Sequence, residues 1–291
     1  MAEQIKRLWQ DFREGKISRR EFMRQAIVIT GSLAAANSII GALAPAEATA
    51  AQVAENDPAI LTHNVTYQGK AGPVAAYLAR PVKAGKYPAI IIISDNAGLV
   101  DHFRDVARRY VKEGYVALVP DVLSRHGGTA KANPKGTGLA NIRELAPLKE
   151  MTENIDGGFT YLKTLPDVRG DRLGLTGFCW GGDMAFGAAT QVRGLRALVL
   201  YYSQSPQPIE LIKNVQAPVL AHYAGEDPGV NQGIPATEEA MKKYGKSFEY
   251  KIYPGARHAF FHDLRADRYH PEAATEAWAR TLDFFKKKLK S

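Results

Sequence analysis

One cysteine, Cys179, is the whole thiol content of the 291-residue chain. That excludes an internal disulfide and any zinc or iron–sulfur site built from several cysteines. Internal repeats are absent, and no proline- or serine-rich linker divides the chain after residue 55, so a single domain is expected there. Long apolar runs are scarce. One uncharged stretch, Ala26 to Ala44, is near the length of a membrane span, and no other segment approaches it. Dense positive charge is also missing, despite a formal net charge of +8. The only close run, Lys286-Lys287-Lys288-Leu289-Lys290, falls at the end of a predicted terminal helix, where cations suit the helix dipole. Scattered charge of this kind gives no nucleic-acid surface. With 23% charged and 45% apolar residues, the chain is neither disordered nor collagen-like.

What is present begins with an address. Ser18-Arg19-Arg20-Glu21-Phe22-Met23-Arg24 precedes the uncharged stretch and resembles a twin-arginine export signal. Gly31, Ser32, Asn37, Ser38 and Gly41 keep the stretch weakly apolar, which suits a signal better than an anchor. Ala46-Glu47-Ala48 supplies the small-x-small pattern of a cleavage site. The expectation is a signal peptide over 1–48, a short linker over 49–60 and a folded domain over 61–291. The twin-arginine export machinery would be a partner, the location periplasmic or secreted, and no stable membrane span would remain after cleavage.

The remainder alternates between strand and helix patterns. Thr62–Gln68 and Val74–Arg80 flank Gly69 and Gly72 and read as a hairpin. Pro88–Ser94 contains Ala-Ile-Ile-Ile-Ile, typical of a strand buried on both faces. A helix over 101–113 with Gly114 as its cap, a strand over 115–119 and a glycine-rich loop over 121–140 follow. Then come a helix over 145–165, weakened by Gly157-Gly158, and a strand over 172–176. A helix from Trp180 leads to strands over 195–202 and 218–223, a helix over 237–244, a strand over 248–253 and a final helix over 272–288. This alternation predicts an α/β fold: a mainly parallel central sheet with helices on both faces.

One turn carries chemistry. Gly177-Phe178-Cys179-Trp180-Gly181-Gly182 lies between a predicted strand and a predicted helix and matches a G-x-C-x-G elbow, with cysteine where serine is commoner. Such a turn holds a nucleophile above the sheet edge. The glycines allow close backbone approach, and the helix N-terminus favours a thiolate and a developing oxyanion. A nucleophilic cysteine needs a base, and the base needs an orienting acid. Asp227 follows a predicted strand in Ala224-Gly225-Glu226-Asp227-Pro228, with Glu226 as the near alternative. His258 follows the next strand in Pro254-Gly255-Ala256-Arg257-His258. The order nucleophile, acid, histidine is that of the α/β-hydrolases.

These segments, with Asp95-Asn96-Ala97-Gly98-Leu99 and Phe103-Arg104-Asp105-Val106-Ala107-Arg108-Arg109, resemble the dienelactone hydrolase (carboxymethylenebutenolidase) family of α/β-hydrolases. The resemblance covers roughly residues 60–290. It implies a Cys179-His258-Asp227 triad and hydrolysis of small esters or lactones through an acyl-cysteine intermediate. It also implies an oxyanion hole from the backbone N–H groups of Trp180 and Asn96. Two positions depart from the family. Asp95 stands where a glutamate that gates the cysteine is common, one methylene shorter. His262, four residues after the histidine, stands where relatives place an arginine for a substrate carboxylate. No cofactor or metal is called for, although His258, His262 and His270 offer ligand chemistry. A non-catalytic binding protein, and a thiol acyltransferase or peptidase, remain open on the same fold.

Overall fold

The computed structural model describes residues 4, 7, 8, 10, 11, 17, 19–30, 52–133 and 147–291. Two compact units emerge: residues 1–50 with 263–267, and residues 51–262 with 268–291. In the first, α1 (Arg19–Thr30) is a helix in which Glu21 pairs with Arg24 at 2.9 Å and accepts from Gln25 Nε2 at 2.7 Å. The expected cleavage site and most of the uncharged stretch lie outside the described residues. Among the described residues, no helix is long and apolar enough to cross a membrane.

The second unit starts with the expected hairpin. β1 (Ile60–Gly69) and β2 (Gly72–Pro81) pair antiparallel, and the Gly69–Gly72 pair closes the turn, where Gly72 takes φ +139°. β3 (Tyr87–Ile93) holds the isoleucine run, and Ala89 through Ile93 are wholly buried. α2 (Asp101–Lys112) ends at Gly114 with φ +75°, a left-handed turn that glycine adopts without strain. β4 (Val116–Pro120), α3 (Leu148–Thr164), β5 (Val168–Phe178) and α4 (Trp180–Ala189) follow. β6 (Leu195–Tyr201), β7 (Val219–Ala224), α5 (Ile234–Lys243), β8 (Phe248–Tyr253) and α6 (Pro271–Phe285) complete the unit.

The eight strands form one sheet in the order β1-β2-β4-β3-β5-β6-β7-β8, parallel from β4 to β8 and antiparallel at the β1-β2-β4 edge. Strand alternation sends Ile90 and Ile92 to one face, with Val106 and Tyr110 of α2 and Phe285 of α6. Ile91 and Ile93 face Ile155 of α3 and Phe186 of α4 on the other. The mainly parallel α/β sheet predicted from the alternation is the one observed, and it is consistent with the α/β-hydrolase fold that the resemblance implies.

Several boundaries differ for physical reasons. Gly157 and Gly158 do not interrupt α3. A Cβ at Gly157 would lie 2.9 Å from Gln68 O, and one at Gly158 would lie 2.9 Å from Ile91 Cδ1. The glycines let the helix press onto the sheet, and packing outweighs their low helix propensity. The segment read as loop contains a short turn, Ser124–His126, and one helical turn, Thr129–Ala132. Asp121 organises it by accepting from Leu123 N at 3.1 Å and from Thr129 N and Oγ1 at 2.8 Å each. The rest of that loop, 134–140, and the expected start of α3 lie outside the described residues. Regular α-helix stops at Phe285, and Lys286–Lys290 continue as a wider π-type turn. That lysine run is more than a solvated end, since Leu289 is buried and Lys290 Nζ donates to Glu113 O at 2.5 Å.

Candidate active site

The parallel strands deliver three loops to one edge of the sheet, as open α/β sheets do. β5 turns sharply into α4 at Cys179, whose φ of +54° and ψ of −129° lie in a region that side chains avoid. Cys179 N–H donates to Tyr201 O at 3.0 Å, which ties the elbow to β6. The three neighbouring glycines are required sterically. A Cβ at Gly177 would collide with Gly181 O, one at Gly181 with Ser94 O, and one at Gly182 with Ser203 Oγ. The absence of these atoms lets the loop after β3 and the end of β6 press against the first turn of α4.

The loops after β7 and β8 are stitched together. Gly225 N–H donates to Tyr253 O at 2.8 Å and Glu226 N–H to Ala256 O at 2.9 Å. Asn231 Nδ2 donates to Ala224 O at 2.7 Å and fixes the far side of the acid's loop. This brings together residues distant in sequence. His258 Nδ1–H donates to Asp227 Oδ2 at 2.5 Å, and His258 Nε2 lies 3.0 Å from Cys179 Sγ, close enough for the two to share a proton. Glu226, the alternative acid, turns outward to Arg257 at 3.4 Å, with both side chains exposed.

Burial would lower the pKa of His258. The Asp227 hydrogen bond, then the hydrogen bond and charge of Cys179, outweigh it and raise the imidazole from 6.5 to about 10. The sulfur thus lies within reach of an imidazole that a carboxylate orients.

Trp180 is the first residue of α4, so its N–H has no partner one turn back within the helix. The loop after β3 is shaped by Asp95, whose Oδ1 accepts from Ala97 N–H at 2.8 Å and whose backbone oxygen accepts from Gly98 N–H at 3.1 Å. Among the described residues, Asn96 N–H takes no part in the backbone bonds of that loop. The second carboxylate oxygen of Asp95 faces His262 Nε2 at 3.9 Å, and His262 stacks on His102 with ring centroids 3.9 Å apart. Asp95 is therefore engaged with its own loop and faces His262. The three histidines with ligand chemistry have separate surroundings. His258 faces Cys179 and Asp227, His262 faces Asp95, and His270 caps α6 by accepting from Ala273 N–H at 3.3 Å.

Tyr202 was not legible in the sequence as a site residue. It is buried, takes φ +41°, and sets its ring 5.0 Å from that of His258. Ala259, directly after His258, takes φ +67°. Cys179, Tyr202 and Ala259 are the non-glycine residues with positive φ among the described residues, and all three surround this one imidazole. Backbone strain of about 1–3 kcal/mol per residue persists where the surroundings over-determine a site. The only sequence signal for Tyr202 is its position after the last residue of a buried strand.

Comparison with known proteins agrees with this architecture. Residues 74–289 match the model of the dienelactone hydrolase family. A carboxymethylenebutenolidase homologue of Saccharolobus solfataricus is 31% identical over 77% of this chain and 97% of its own. A Bradyrhizobium homologue named for 2-oxo-3-(5-oxofuran-2-ylidene)propanoate lactonase activity is 34% identical over 72% of this chain and 88% of its own. Among solved structures, a dienelactone hydrolase homologue from Klebsiella pneumoniae superposes with a TM-score of 0.71 at 28% identity, covering 79% of this chain and 99% of that one. The family match runs from β2 through α6, and the chain belongs to the dienelactone hydrolase family, as one of its hydrolases.

Proposed function

We propose that the protein is an exported hydrolase of small esters or lactones that works through Cys179, His258 and Asp227. The observation that carries this reading is the continuous contact from Sγ through both imidazole nitrogens to a carboxylate, built on a strained elbow. The thiolate of Cys179 attacks the carbonyl carbon, a C–S bond forms, and the carbonyl π electrons move to oxygen. The N–H groups of Trp180 and Asn96 receive that oxyanion. The C–O bond then breaks, and His258 Nε2 protonates the departing alkoxide, which stays tethered when the substrate is a lactone. Water, deprotonated by His258, attacks the thioester and releases the acid and free Cys179.

Mass spectrometry after rapid quench with a slow ester tests this. An acyl group on Cys179 is expected, with turnover lost in Cys179→Ala. Turnover retained in Cys179→Ala with no adduct in the wild type would overturn it.

Asp95 enters this reading as the carboxylate that shapes the oxyanion loop and as the candidate gate of the thiol. A gate disfavours the thiolate by like-charge repulsion, so Asp95→Asn then alkylates faster with iodoacetamide near neutral pH. Coincident rate profiles leave Asp95 with the loop alone.

Export rests on the paired arginines Arg19-Arg20, the uncharged stretch and Ala46-Glu47-Ala48. N-terminal sequencing of the extracytoplasmic fraction is expected to begin near Thr49, and a start at Met1 or Ala2 in that fraction would refute it.

A further inference from the structure

A cavity of about 220 Å³ lies between the segment after β6 and the segment after β7. Its walls adjoin the reactive residues. Ser203 follows Tyr202, which packs on His258, and Ser203 also sits against Gly182 in the first turn after Cys179. Gly229 and Val230 begin two residues after Asp227. None of the lining residues is a carboxylate, lysine, arginine or histidine.

The hydroxyl protons of Ser203, Ser205 and Thr237 are already committed, whereas Gln204, Gln207 and Tyr223 add side-chain donors to the same lining. Thr237 Oγ1 donates to Gly233 O at 2.8 Å. A threonine hydroxyl has one hydrogen, so in the Ser205–Thr237 hydroxyl pair Ser205 must be the donor. Ser203 Oγ donates to Tyr201 O at 2.8 Å. Gln232 Nε2 donates to Gly229 O at 3.0 Å, which leaves the amide oxygen available at the rim. Three hydroxyls and a side-chain amide thus satisfy backbone or one another as donors and retain lone pairs. With the amide and phenol donors beside these hydroxyls, the wall both accepts and donates hydrogen bonds and suits hydroxyl groups, which do both. A carboxylate would find no cation in this lining to balance its charge. Val230 and Ile234 supply apolar surface for the carbon skeleton.

We infer that this cavity is the subsite for an uncharged, hydroxyl-bearing portion of the substrate. The inference rests on the hydrolase reading and narrows it to neutral hydroxylated esters or lactones, with hydroxyls on either the alcohol or the acyl side.

Paired substrates decide it, each pair differing in hydroxyls. Glycerol monobutyrate against propyl butyrate places them on the alcohol, and a dihydroxy γ-lactone against γ-butyrolactone places them on the acyl side. Monobutyl succinate is the anionic control. In the wild type, the hydroxylated member of at least one pair is expected to exceed its partner in kcat/KM by about tenfold, with the anionic ester slowest. Thr237→Val and Ser205→Ala are expected to bring that ratio towards one. The ratio is internal to each variant, so it does not depend on how much of the variant is folded. A wild-type ratio at or below one in both pairs, or an unchanged ratio in both variants, overturns the subsite. A parallel binding titration by saturation-transfer NMR uses glycerol 1-butyl ether against butyl propyl ether, neither of which can be hydrolysed. Selective ether binding without turnover of any ester sustains the subsite and removes the hydrolase reading. Ester turnover without hydroxyl selectivity does the reverse.

Discussion

Two histidines of this unit, His222 and His258, show what an imidazole becomes under different neighbours. His222 lies within β7 and is fully buried. Its Nδ1 is 3.0 Å from the Tyr253 hydroxyl and its Nε2 is 2.9 Å from Thr281 Oγ1. Burial, followed by the Arg280 charge, pushes its pKa down from 6.5 to about 3, so it is a neutral bridge between hydroxyls. His258 stands in a loop, half-buried, between a carboxylate and a sulfur, and is raised to about 10. Both pay desolvation; only one has a carboxylate partner. Partner chemistry, rather than burial, sets the direction in which each imidazole moves.

The largest expected effect divides the two directly. His258→Gln is expected to lower ester turnover by roughly a thousandfold while leaving the melting temperature within a few degrees. His222→Phe is expected to cost about 1–3 kcal/mol in a denaturant titration, because the Tyr253 hydroxyl loses its imidazole partner and Thr281 keeps only Tyr201 of its two side-chain partners, and to leave kcat per folded molecule little changed. A swap of these two outcomes would break the comparison.

The strain around His258 is sharpened next. Gly181→Ala places a methyl group against Ser94 O, a backbone atom that cannot swing away. A loss of about 3 kcal/mol or more is expected, with activity falling alongside. Gly194→Ala, at φ +80° with open space around it, is expected to cost only about 1 kcal/mol. Equal losses in urea titrations would remove the steric account of the elbow.

Asp227→Asn removes the leading interaction that raises His258, so the imidazole pKa moves down from about 10. The imidazolium proposed to protonate the leaving alcohol is then lost at lower pH. The alkaline limb of kcat/KM is expected to shift down, with a fall of about a hundredfold at neutral pH. An unmoved limb would show that Asp227 does not tune the base.

The smallest effect is on stability against pH. The folded pKa of His222 lies below its unfolded value, so the unfolded chain binds the extra proton between about 3 and 6.5. Stability attributable to His222 therefore falls as pH drops through that window, by at most about 1.4 kcal/mol per pH unit. His258 has the opposite sign, since its contribution is complete below about 6.5 and is lost as pH rises through about 10. Calorimetry across pH is expected to show a shallower acid slope in His222→Phe. An unchanged slope would assign the acid limb to other groups.

The sequence by itself determined the order of elements, because periodicity and buried runs such as Ala89–Ile93 record which faces are covered. It also marked Cys179, Asp227 and His258 as candidates, because an elbow and two strand-end loops are local patterns. It left Glu226 open against Asp227, and the fold separates them by turning Glu226 outward to Arg257. It made Gly157-Gly158 look like an interruption, since propensity is local, while close packing against Gln68 and Ile91 is not. Tyr202, the His222 bridge and the hydroxyl wall at Thr237 were illegible for the same reason. Each depends on which strands lie side by side and where a hydroxyl hydrogen points, and those are decided only when β6, β7 and β8 assemble in one sheet. Residue types and spacing supply the reactive groups; tertiary contact fixes their charge states, donor directions and neighbours, because electrostatic and hydrogen-bond energies depend on distance in space rather than separation along the chain.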